Sequence, residues 1–346
     1  MFTTSKKERL LSDQDRDWHV AVNKRAAEPH GSGRVIRMNS IYLELVDGIY
    51  PNRGMMSSAG IFAVGMFLFA ITAIAHGVIF GFYLNPDWDR HDEIPMLSSM
   101  GLVTITCALL LAGVVAFNRN IGEWFRYTHY PMRFNRRNRM VYVFRGDDTV
   151  LEAPWDEVYF TLRVNSQAFG VRTLGICGLL MKDPKTVKEM FVFGYASSSR
   201  DYCLRHWEFI RRYMEEGPQA VIDAPGLQYC LPIADKRETL YEGWIALVSR
   251  DAWNPVLKWL MLPFHVLFFV GRLVCRVTSK VPLWPADVEA ACRIAPDDPY
   301  VRDSSTNPVG YRSSRSSRTS RTQLKRWRGC WRGLDVYNKQ EATSTD

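Results

Sequence analysis

Two uncharged apolar runs, residues 55–84 and 96–117, lie back to back with only NPDWDRHDEIP (85–95) between them. Neither contains Asp, Glu, Lys or Arg. A helix of about 20 apolar residues crosses the roughly 30 Å hydrocarbon core of a bilayer. The core helix of a soluble domain carries a polar stripe, and these runs carry none. The pattern predicts a two-helix transmembrane hairpin. The fold class expected is therefore a membrane protein of mixed α+β type.

The flanks predict the orientation. Lys6, Lys7, Arg9, Arg16, Lys24, Arg25, Arg34, Arg37 and Arg53 precede the first run. Arg119, Arg126, Arg133, Arg136, Arg137 and Arg139 follow the second. The connecting loop holds Arg90 against Asp87, Asp89, Asp92 and Glu93. The positive-inside rule puts both flanks in the cytoplasm. The expectation is a multi-pass bacterial inner-membrane protein with both termini cytoplasmic. The first run begins too far along the chain, and the N-terminus is too polar, for a cleavable signal peptide. Seven scattered cysteines with no CxxC pair predict reduced thiols and neither a disulfide framework nor a zinc site. The net charge of +8 sits mostly in the flanks and the tail. It suits anionic headgroups better than nucleic acid, which needs basic residues on an ordered face.

Residues 1–33 read as a mobile N-terminus. Within 34–54, the stretch VIRMNSIYLELVD alternates like one half-buried strand that can join the cytoplasmic domain, and PNRG then turns the chain. Residues 131–217 form the expected β-rich cytoplasmic domain, with strands at 140–144, 149–153, 157–164, 174–182 and 187–195. An amphipathic helix capped by Ser198 or Ser199 and ended by Gly217 closes it, with Trp155 and Trp207 in the core. Short antiparallel strands followed by one helix suggest a pleckstrin-homology-like body, by analogy of fold.

Residues 238–302 read as a helical membrane-associated segment and a Pro-rich piece with a short helix starting near Ala286. The apolar core of the segment, 259–271, is short for a span and contains Pro263 and His265. Three readings stay open: a kinked interfacial or re-entrant segment, a third span, or a buried core helix. In the first, Lys258 and Arg272 bracket the segment and reach the lipid surface. Residues 303–346 read as a disordered basic tail whose Arg315, Arg318 and Arg326 lie on anionic lipid.

No phosphate loop, nucleophile elbow, HExxH or dinucleotide fingerprint occurs. No catalytic residue, metal ligand or cofactor is expected. His91-Asp92-Glu93 are neighbours that cannot converge on one ion without a special turn. His76 is the one ionisable group in the first run. It is followed by Gly77 and Gly81, with Ala108 and Ala112 in the second run, so close helix packing is expected there. In that packing His76 bonds Thr104 or Thr106. Cys203 and His206 stand three apart on one helix without an orienting third group, which favours a core histidine over a nucleophile–base pair.

Four stretches together carry a resemblance: IYLELVDGIYPNRG (41–54), HYPMRFNRRNRMVYVFR (129–145), APWDEVYF (153–160) and SKVPLWPADVE (279–289). They resemble an uncharacterised proteobacterial family of membrane-hairpin proteins, over about residues 35–302. Genes of that family commonly neighbour type VI secretion spike and effector genes. The resemblance implies an accessory or immunity factor that holds a toxin or secretion component. A lipid-facing structural or sensory anchor is the alternative, and a lipid- or phosphate-modifying enzyme the second alternative.

Overall fold

A computed structural model describes residues 4–5, 8–84, 93–168, 171–248 and 255–308. The chain divides into two compact units: 1–52 with 127–260 and 280–346, and 53–126 with 261–279.

The first unit is β-rich. Its elements are β1 (Thr4–Ser5), β2 (Arg9–Leu10), α1 (Asp13–Asp17), β3 (Val35–Met38) and β4 (Tyr42–Leu45). After the helical pair come β5 (Met132–Asn135), β6 (Met140–Phe144), β7 (Val150–Pro154), β8 (Val158–Ala168), β9 (Val171–Asp183) and β10 (Thr186–Ser197). Then follow α4 (Arg200–Glu215), α5 (Leu240–Val248), α6 (Pro255–Leu260) and α8 (Ala286–Ala291). One sheet runs β3-β4-β5-β6-β7, and the other runs β1-β10-β9-β8 with β2 also on β10. Among the described residues the pairings between these strands are all antiparallel.

The inward positions of both sheets meet a single aromatic core. Phe134, Trp155, Phe160, Phe191, Phe193 and Trp207 are all buried in it. Trp155 stacks on Trp207 with centroids 5.7 Å apart. Alpha-4 supplies Trp207, Phe209, Ile210, Tyr213 and Met214 to this core. Its N-cap is Ser199.

Two departures from the sequence reading have local causes. The single strand expected at 35–47 is a hairpin of β3 and β4. The Asn39 side-chain oxygen accepts from the amides of Ile41 and Tyr42, both at 2.9 Å, and folds the chain back. Such Asx turns compete with an extended backbone. Beta-5 was not expected, because MRFN sits in a run that reads as juxtamembrane charge. Arg133 and Asn135 are nevertheless buried, since the sheet is covered on both faces. The outer cover comes from Trp284, from Val288 of α8 and from Cys292 just beyond its end, packed with Tyr42 and Tyr142.

The second unit is helical: α2 (Met55–Leu84), α3 (Glu93–Asn120) and α7 (Leu262–Thr278). Among the described residues, two helices are long and apolar enough to cross a membrane, at Tyr50–Gly77 and Met100–Asn120.

Candidate functional site

The helical unit carries the most unusual surface of the chain. Phe62, Phe69, Leu102, Ile105 and Leu109 are all more than half exposed. Of the most apolar window, 11% is buried in the first helix and none in the second. Water around such surface costs roughly 25 cal/mol for each Å² that a cover would remove.

The close contact of α2 with α3 lies near the foot of the pair and not where small residues suggested it. A Cβ at Gly60 would stand 2.8 Å from the Asn118 amide nitrogen and 2.9 Å from Val114. A Cβ at Gly77 would meet nothing, and Ala108 and Ala112 are exposed. Thr104 and Thr106 donate their hydroxyls to Met100 and Leu102 one turn back, at 2.8 Å each, and not across the pair to His76. Threonine in a helix satisfies itself this way when no partner approaches. Gly77, Ala108 and Ala112 therefore stand away from the close contact, which falls at Gly60. The Gly81 side of the pair lies outside the described side chains.

A buried polar node sits at that foot. The Glu123 carboxylate accepts from the Ser57 amide at 2.7 Å, the Gly54 amide at 3.2 Å and the Ser57 hydroxyl at 2.5 Å. It thereby caps the open N–H groups at the start of α2, where a negative charge also meets the positive end of the helix dipole. Trp124 Nε1 donates to the Ser57 hydroxyl oxygen at 2.7 Å. Arg53 Nη2 donates to the Gly122 carbonyl at 3.0 Å, and the Ser279 hydroxyl to the Glu123 carbonyl at 3.1 Å. Cys275 Sγ lies 2.9 Å from the Ser57 hydroxyl. Burial, then the Glu123 charge, pushes the Cys275 thiol up to about 12, so it stays protonated and is no nucleophile. The node is a fastening built from three chain segments.

Alpha-7 closes onto the node. A Cβ on Gly271 would stand 2.3 Å from the Gly54 carbonyl oxygen and 2.1 Å from Ser58 Oγ. Only glycine permits this approach. Gly54 itself has φ of +93° and faces the Arg272 backbone. Ser58 Oγ donates to the Gly54 and Leu267 carbonyls at 2.7 and 3.0 Å. Pro263 sits in the first turn of α7 and starts the helix where a mid-segment kink was expected. Arg272, expected at the lipid surface, is 2% exposed and donates to the Arg53 carbonyl at 3.4 Å. The glycine contact at 271 draws its neighbour inward. The Lys258 side chain and Arg315, Arg318 and Arg326 lie outside the described residues.

The β-rich unit has its own buried charge. Arg133 lies between the rings of Tyr42 and Trp284, 4.7 Å from each centroid. It pairs with Glu289 at 2.8 Å and Glu44 at 3.4 Å, and Trp284 Nε1 donates to Glu44 at 2.8 Å. Burial opposes the Arg133 charge, but Glu44 and Glu289 outweigh it and raise its pKa. This cluster joins the 279–289 stretch to β4 and β5, so three of the stretches that carried the resemblance, 41–54, 129–145 and 279–289, meet in space.

Cys203 and His206 are both buried. Burial pushes the thiol up to about 11 and, with the Arg34 and His30 charges, holds the imidazole down to about 3. Neither is poised for nucleophilic or acid–base work near neutral pH. His91 and Asp92 lie outside the described residues. Among the described residues no three His, Cys, Asp or Glu side chains stand together as metal ligands. A shallow cavity of about 190 Å³ lies between Arg37, Asp235, Lys236 and Asp303, too mixed in charge to name a ligand.

Residues 106–296, more than half of the chain, match DUF6708, a family of unknown function. No curated protein matches the chain, and no solved structure matches it.

Proposed function

The chain belongs to the DUF6708 family of unknown function, and we propose that it is a non-enzymatic interaction protein anchored in the bacterial inner membrane. The observation that carries this reading is the uncovered apolar surface of α2 and α3, including Phe62, Phe69, Leu102 and Leu109. Two adjacent helices of this length and exposure are the form a membrane hairpin takes. The basic flanks and acidic loop favour both termini in the cytoplasm. The β-rich unit then faces the cytoplasm as a pleckstrin-homology-like body, with two antiparallel sheets followed by α4. Its partner is a protein such as a toxin or secretion component, in an accessory or immunity role of the kind that the sequence resemblance implies. Anionic lipid is the second partner. A purely lipid-facing structural or sensory anchor is the alternative, favoured by the exposed apolar face of α7.

Reporter fusions test the anchor. A fusion at Asp89 reads periplasmic and one at Gly146 cytoplasmic, with the protein resisting alkaline extraction from membranes. The reverse pattern, or extraction into the soluble fraction, overturns the anchor. Detergent-solubilised protein then distinguishes the two roles. A stoichiometric protein partner supports the interaction role, and lipid alone supports the anchor alternative.

A further inference from the structure

Alpha-7 is amphipathic the wrong way round for water. Its exposed residues are Pro263, Phe264, Val266, Val270 and Val277, all apolar. Its buried residues are His265, Gly271, Arg272 and Cys275. A helix on the surface of a soluble protein turns its arginine and histidine outward and its valines inward. Here His265 and Arg272 face the protein, Arg276 is half-buried near the C-terminal end, and the outward face is 41–67% exposed at Phe264, Val266, Val270 and Val277. That inversion fits a helix whose surroundings are less polar than its support. The same unit carries the uncovered apolar surface of α2 and α3, so one medium serves all three helices.

The geometry also says how α7 lies. Leu267, Gly271 and Cys275 occupy three successive turns of α7, and all three touch the first turn of α2, between Gly54 and Ser58. These contacts fasten α7 at the foot of α2, the end of the pair that the basic flanks put at the cytoplasmic boundary. At about 1.5 Å per residue its 17 residues are also shorter than the roughly 30 Å hydrocarbon core.

We infer that α7 is an interfacial helix, seated at the foot of the hairpin with its Phe264, Val266, Val270 and Val277 face in the acyl chains of the inner leaflet. Helices of this kind bury their apolar face about 5–10 Å below the headgroup boundary. The occupant of the face is lipid and not a second copy of the chain, because the surface continues that of helices long enough to span. The inference rests on the membrane reading of α2 and α3 and adds a third lipid contact that does not cross.

Spin-label accessibility tests it on the full chain in vesicles of phosphatidylethanolamine and phosphatidylglycerol. Cys107 and Cys330 are first changed to Ser, the remaining cysteines being buried. A nitroxide is then placed by Val270→Cys and, in a second variant, by Val266→Cys. Leu109→Cys serves as the hairpin reference and Lys182→Cys as the water reference. At 266 and 270 the ratio of oxygen to nickel-chelate collisions should exceed that at 182 several-fold and lie below that at 109. A ratio equal to that at 182, with 109 still in lipid, overturns the inference and spares the hairpin. Water access at 109 as well overturns the hairpin reading itself. Dipolar broadening at 270 that disappears on dilution with unlabelled protein puts a second copy on the face and also overturns the inference. A ratio at 270 equal to that at 109 means a deeper, spanning placement and rejects the interfacial one.

Discussion

Trp155→Ala removes the centre of the aromatic core. Trp155 is fully buried, stacked on Trp207 at 5.7 Å and tilted against Phe160 at 4.7 Å. Its indole N–H donates to Glu215 Oε1 at 2.7 Å, so it also holds the C-terminal turn of α4. Truncating a buried tryptophan costs about 3–5 kcal/mol through lost transfer energy and the residual cavity. The hydrogen bond adds less than the roughly 1.5–3 kcal/mol of a charge-assisted bond. Glu215 is 27% exposed and keeps its pair with Arg139 at 2.9 Å, so its carboxylate is not orphaned when the indole leaves. The expected loss is about 4–5 kcal/mol. A domain of total stability near 5–15 kcal/mol loses a large fraction of it. At roughly 2–4 °C per kcal/mol for a unit of this size, the melting midpoint falls by about 8–20 °C. Near-ultraviolet circular dichroism of the detergent-solubilised full chain reads this shift. Trp155→Phe, which keeps a ring and loses the bond, should lie between the two. A midpoint within about 3 °C of the parent for Trp155→Ala would refute the placement of the core at this residue.

Gly271→Ala should lower the midpoint and the steady-state abundance, because its Cβ would press on the Gly54 carbonyl, while Gly65→Ala, whose Cβ meets open space, should change neither. Equal behaviour of the two would refute the close contact of α7 with α2. Glu123→Gln keeps the shape but removes the charge from the start of α2 and should cost about 1–2 kcal/mol, read as a lower midpoint in the same assay. No loss would mean that the node does not cap the helix. His206 is held neutral, with its pKa lowered to about 3 against 6.5 for the free side chain. Its contribution is therefore intact above about pH 6.5 and falls as the pH drops toward 3, by about 1.4 kcal/mol per pH unit, because the unfolded chain takes up the proton first. His206→Leu should flatten the loss of stability between pH 6 and 4, and an unchanged slope there would contradict the burial.

The apolar helices were legible in the sequence because length and the absence of charge are one-dimensional properties. Their presence needs no knowledge of what packs where. The strands β6 to β10 and α4 were legible for a related reason: runs of β-branched and aromatic residues bounded by turn residues, and helical spacing, survive in the order of residues. Beta-5 shows where that signal ends. Once Trp284 and α8 cover the outer face of its sheet, Arg133 and Asn135 are as buried as Met132 and Phe134, and polarity no longer marks the solvent side.

The foot of the hairpin was wholly a tertiary decision. Gly54, Ser57, Glu123, Gly271 and Cys275 are scattered over more than two hundred positions, and nothing in any one segment marks it as a partner of the others. Arg272 shows why. From the sequence it is a flanking cation beside an apolar run, the kind of residue that reaches for a headgroup. Its neighbour Gly271 permits the backbone of α7 to touch that of α2, and this contact turns the arginine inward. Sequence set which surfaces are apolar. Backbone approach at two glycines, visible only when the chain is folded, set which of them stays uncovered.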